Sequence, residues 1–171
     1  MFDWLKRRKG GTGASPAESA LGRAVRSACL DGDEETARIV GAVAALMLCV
    51  AHADQRFAPE EQELIRATLG RIQGLDPAGV GTILGVLREH RVSIAAREAS
   101  SYARDLLELC AVDFRRELLD VLVDLAAADE VIELSEANML RGIARALGLT
   151  QDDYNASQAR HRAKLGVLKR G

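Results

Sequence analysis

Four carboxylates stand at matched positions in two parts of this chain. Asp54 precedes Glu61 by seven residues, and Asp129 precedes Glu136 by the same seven. Each pair lies where one apolar helical pattern ends and the next begins. If two such turns meet across a pseudo-twofold axis, the four acids converge. Unpaired carboxylates at close range repel, so a converged set needs a cation or raised pKa values. Oxygen-only donors suit the hard divalent ions Ca²⁺ and Mg²⁺, whereas structural zinc would call for a Cys/His set that is not beside them. Nor is the spacing that of an EF-hand, which needs a turn glycine and a Glu eleven positions after its first Asp.

The same acids have a plainer reading. Glu61 and Glu136 fall near the third position of a helix, where a Glu side chain reaches back to the N-cap amide and complements the helix dipole. Asp54 and Asp129 can likewise hydrogen-bond turn amides. His52, two residues before Asp54, either joins such a site or packs among its apolar neighbours. His90 reads as a solvated helix end, and Arg116 with Asp120, four apart, as an exposed ion pair. No G-x-S-x-G, H-E-x-x-H, Walker or dinucleotide-binding motif occurs. The expectation is a protein that is not an enzyme. A metal-assisted hydrolase would need pocket residues around the acids, and the sequence identifies none.

The elements that place these acids are helices. A capping box at Ser15-Pro16-Ala17-Glu18 starts one that runs to about Leu30, and Asp33 can cap the next, over about 34–53. Ala58-Pro59-Glu60-Glu61 opens a helix to about Ile72, and Asp76-Pro77 another to about Glu89. Ser93 is expected to cap a single helix through Leu109, and Asp113 one from Phe114 to Ala128. A helix over about 134–147 follows, with Leu140, Ile143, Ala144 and Leu147 at helical spacing, and Thr150 with Asp153 caps a last one. The fold class is therefore all-α: a compact bundle of seven or eight helices, two pairs of them forming pseudo-symmetric hairpins.

The hairpins repeat in sequence. At an offset of seventy-five, Ala51, Ala53, Asp54, Glu61 and Arg66 match Ala126, Ala128, Asp129, Glu136 and Arg141. Phe57 stands for Ile132, Ile65 for Leu140, and Gly74-Leu75 meets Gly148-Leu149 after a slip of one residue. This twice-used A-x-A-D-x-x-hydrophobic-x-x-x-E pattern resembles the TerB family, small all-helical bacterial domains named for tellurite resistance, over roughly residues 34–154. The resemblance implies a metal-associated acidic patch, carried here by Asp54, Glu61, Asp129 and Glu136, and a part in metal-linked stress response through protein partners. The family commonly has Gly after each Asp, where this chain has Gln55 and Glu130. Some relatives add a J-domain, but no His-Pro-Asp occurs here.

Composition agrees with helices. Hydrophobic residues make up 48% and aromatics only 4%, so Ala, Leu, Val and Ile must build the core. Residues 1–9 carry Lys6, Arg7, Arg8 and Lys9 against Asp3, a balance of +3; residues 155–171 carry +5 and residues 10–154 carry −10. An acidic body argues against nucleic acid as partner. Residues 1–14 read as a flexible basic tail, 15–154 as the helical domain, and 155–171 as a basic tail or frayed helix. The first tail is either a solvated leader or a peripheral membrane contact through Phe2, Trp4, Lys6, Arg7, Arg8 and Lys9. A module without metal, recruited to the membrane surface that way, is the alternative to the cation-binding reading. The longest apolar run, 39–51, is too short to span a bilayer, and no secretory signal opens the chain. Cys29, Cys49 and Cys110 lack paired spacing and read as reduced, mostly buried thiols, so a cytoplasmic location is expected.

Overall fold

A computed structural model describes residues 16–30, 33–53, 57–128 and 132–161. Asp54, Asp129 and the basic segment with Phe2, Trp4, Lys6, Arg7, Arg8 and Lys9 lie outside the described residues, as do residues 162–171. The described residues form helices α1 (Pro16–Ala28), α2 (Glu34–Ala51), α3 (Pro59–Leu69), α4 (Pro77–Glu89), α5 (Arg91–Ala95), α6 (Ala99–Leu109), α7 (Val112–Ala126), α8 (Leu134–Ala146) and α9 (Gln151–Ala159). The all-α expectation holds. Besides helices, Cys29 and Leu75 form an isolated backbone bridge.

The bundle is assembled around α2. From Ala42 to Ala51 every residue of this helix is buried, with Leu46, Met47 and Leu48 fully enclosed. A helix that is apolar all round has to be sheathed by others, and α2 packs on α1, α3, α4, α5, α6, α7 and α8. Its start is fixed by Asp33, whose carboxylate accepts the backbone N–H groups of Glu35 at 3.2 Å and Thr36 at 3.0 Å. The caps read from sequence at Asp76 and Thr150 also form. Asp76 accepts the Gly79 N–H at 3.2 Å, and the Thr150 hydroxyl accepts the Asp153 N–H at 3.1 Å.

Several boundaries differ from expectation. The helix expected from Ser93 to Leu109 is two helices, α5 and α6, parted at Ala96, Arg97 and Glu98. Arg97 leaves the helical path to donate to Glu18 of α1 at 2.6 Å and to lie over the Tyr102 ring at 4.5 Å. Ala111 rather than Asp113 is the N-cap of α7, and Asp113 sits in its first turn, paired with Arg116 at 3.2 Å. Arg116 also reaches Asp153 at 2.9 Å rather than Asp120, which pairs with Arg160 at 3.3 Å. Helix α3 stops at Leu69, short of Ile72. The last helix runs through Ala159, where Arg160 and His161 tie it to α7 through Asp124 at 3.2 and 2.7 Å. Cys29 and Cys49 are buried, Cys110 is half-buried, and all three are thiols.

Candidate functional site

Glu61 and Glu136 occupy the same place in two copies of one turn. Proline at the first position of α3 fixes the chain direction after Ala58, whose extended backbone makes it the N-cap. The Ala58 N–H then donates to Glu61 Oε2 at 2.7 Å. Before α8 the N-cap is Glu133, and its N–H donates to Glu136 Oε2, again at 2.7 Å. Each carboxylate thus answers one of the backbone donors that a helix start leaves without an intrahelical partner. Glu61 does so at 6% exposure and Glu136 half-buried. The capping role expected for both acids is present.

The likeness continues past the hairpins. After each second helix comes a glycine in the left-handed region, Gly74 at φ 84° and Gly148 at φ 68°. Leu75 and Leu149 follow, both buried. Asp76 and Thr150 then cap α4 and α9. So the repeated unit is three helices, α2–α3–α4 and α7–α8–α9, not two. The sequence signal for the third was the Gly-Leu pair followed by a capping residue, visible only once the one-residue slip is allowed. Packing agrees with the duplication. α2 lies on α7, and the cross contacts α2–α8 and α3–α7 both occur, as a twofold exchange of the units requires. In the same sense α4 packs on α2 and α3, and α9 on α7 and α8.

Side chains tie each third helix to the start of the second. In the first unit, Arg88 of α4 donates to Gln62 Oε1 at 2.8 Å, and Gln62 Nε2 donates to the Phe57 carbonyl at 2.9 Å. In the second, the Tyr154 hydroxyl of α9 donates to the Ala137 carbonyl at 2.9 Å, while Arg141 lies over its ring at 5.6 Å. Burial raises the Tyr154 phenol above its ordinary range, which keeps it a donor.

The chemistry of the four-acid set divides accordingly. Glu61 and Glu136 are held by their N-cap amides, and the described residues contain no group of three or more His, Cys, Asp or Glu placed to hold a metal ion. A capping carboxylate keeps further acceptor capacity, so the cap does not by itself preclude an ion. His52 is the C-cap of α2, immediately before the first turn, and its Nδ1 is buried without a hydrogen-bond partner. It is a packed side chain at the edge of the turn.

Two of the three comparisons with known proteins, with curated proteins and with solved structures, give no match. The third does: residues 41–159 match a family model described as Tellurite resistance protein TerB, from the middle of α2 to the last residue of α9.

Proposed function

Because this chain belongs to the tellurite resistance protein TerB family, we propose that it is a non-enzymatic binding module in metal-linked stress response. In this reading it docks protein partners through its acidic body and takes a divalent cation weakly at its two repeated turns. The observation that carries the reading is the reproduction of one carboxylate-capped turn in both units, with Glu61 and Glu136 in the same bond at the same distance. A single capped turn is ordinary helix chemistry. Two related by pseudo-symmetry, each with an Asp seven residues earlier, supply four acids of one kind to a body of charge −10. Asp54, Asp129, Glu61 and Glu136 would hold the ion, Ca²⁺ or Mg²⁺ by donor type. The ion would offset the mutual repulsion of the acids and set the charge that a partner meets.

Calorimetric titration of EDTA-stripped protein with Ca²⁺ and then Mg²⁺ tests the cation. Saturable binding is expected, and it should vanish in Asp54→Asn/Asp129→Asn, which leaves both Glu caps in place. Absence of binding by the wild-type protein, or binding that survives the double variant, would return all four acids to helix capping.

A further inference from the structure

A groove of about 340 Å³ opens between the α5–α6 turn and α8, with Cys49 of α2 at its base. Its walls are small or apolar: Ala96 and Ala99 on one side, Met139, Gly142 and Ile143 on the other. Burial pushes the Cys49 thiol up to about 12, so the base of the groove is an uncharged sulfhydryl. Arg97 and Glu98 form its rim.

We propose that this groove docks the chain's own segment of residues 2–5, with Trp4 as the inserted side chain. Three observations converge on that occupant. The first is position. Glu18, in the first turn of α1, is bonded to Arg97 on the rim at 2.6 Å, so the chain enters α1 beside the groove. The twelve steps from Trp4 to Pro16 extend to roughly 40 Å at full stretch, ample for so near a site. Such a short tether holds the segment at about millimolar effective concentration. The second is shape and polarity. An apolar trough walled by alanine and glycine accepts one flat ring, and the only Trp of the chain stands in this segment between Phe2 and Leu5. The third is charge. Glu98 lines the groove, Glu18 pairs with Arg97 beside it and Asp105 acts on Arg97 from nearby, three acids about one cation, while Lys6, Arg7, Arg8 and Lys9 follow the aromatic residues directly. Insertion of Trp4 brings the cations over those acids. Docked in this way, the aromatic-basic segment is withheld from other surfaces.

The single Trp makes the test direct. In the full-length protein without lipid, Trp4 emission should be blue-shifted and poorly quenched by acrylamide, independent of protein concentration. Gly142→Leu fills the groove; a Cβ at that position meets nothing within 4 Å, so the helix accepts it. Met139→Lys places a charge on the same wall. Each variant, with its circular dichroism unchanged, should shift the emission to the red and raise the quenching constant severalfold. A solvent-exposed Trp4 spectrum in the wild-type protein overturns the proposal whether or not either variant folds. So does protection that survives both substitutions, that appears only as concentration rises (docking between chains), or that appears only with anionic vesicles.

Discussion

Gly74 and Gly148 have the same backbone conformation at the same point of their repeats. A Cβ at Gly148 would stand 2.7 Å from Leu107 Cδ1 and 2.9 Å from Arg115 Nη1. Arg115 is itself engaged there, donating to the carbonyls of Leu147 and Cys110, the latter at 3.1 Å. Forcing an L-residue into the left-handed region costs about 1–2 kcal/mol, which is the least loss expected at either glycine. Gly148→Ala should lose more, because the added methyl also displaces Leu107 and Arg115. Urea unfolding of Gly148→Ala would show a lower midpoint at equal slope, by more than the backbone strain alone accounts for. Two caps contribute to the loss of stability in acid. Hydrogen bonds from the Thr36 hydroxyl and amide, then the Glu35 amide, hold Asp33 below the ordinary carboxylate range. The Thr150 amide and hydroxyl, then Arg116, do the same for Asp153. A carboxyl more acidic in the folded state stabilises above its unfolded pKa, about 3.9 for Asp, and that contribution is lost as pH falls through the lower folded value. The urea midpoint should therefore drop below about pH 4, and Asp33→Asn/Asp153→Asn should flatten the drop.

Between elements, α1 and α4 approach closely at Gly79. A Cβ on Gly79 would come within 2.7 Å of the Ala28 Cα and closer still to its Cβ. Backbone bonds pin the same place: Asp76 N–H to the Ala28 carbonyl at 2.9 Å and Leu30 N–H to the Gly74 carbonyl at 2.8 Å. Gly79→Ala must push α1 off α4 and should destabilise by about 1–3 kcal/mol through overpacking. Gly81, two residues on in the same helix, meets nothing within 4 Å. There Ala should be neutral or stabilise by up to about 1 kcal/mol, and thermal unfolding of the pair separates packing from helix propensity. Element boundaries were legible where chemistry is local. Asp33, Asp76 and Thr150 act on amides within three residues, and Pro59 fixes its own φ. They were not legible where distant partners decide. Ser93 is a good capping type, yet it lies inside α5, whose N-cap is His90, and the chain leaves the helix near Arg97, which pairs with Glu18 seventy-nine positions away. Arg116 likewise prefers Asp153 on α9 to the Asp120 of its own helix.

At the scale of the molecule, the all-α bundle and its duplicated hairpin were readable from the recurrence of Ala, Asp and Glu at fixed spacing. That the repeat extends to a third helix in each unit was not, because the paths to the two glycines differ by one residue: Gly74 stands thirteen after Glu61, and Gly148 twelve after Glu136. The capping half of the candidate site was likewise implicit in sequence, since a Glu at the third helical position has an amide within reach. The groove at the α5–α6 turn was hidden, because it exists only where that turn, α2 and α8 meet.

The two units hold each other by reciprocal contacts, α2 against α8 and α3 against α7. Neither encloses α2 alone. A chain cut between Cys110 and Ala111, ahead of α7, should yield two pieces that are unstructured apart and regain helical circular dichroism when mixed. The same reciprocity does not ask that both units come from one molecule: two chains that exchange α7–α9 rebuild every contact between the units, so the duplication that makes the fold also makes it open to domain swapping.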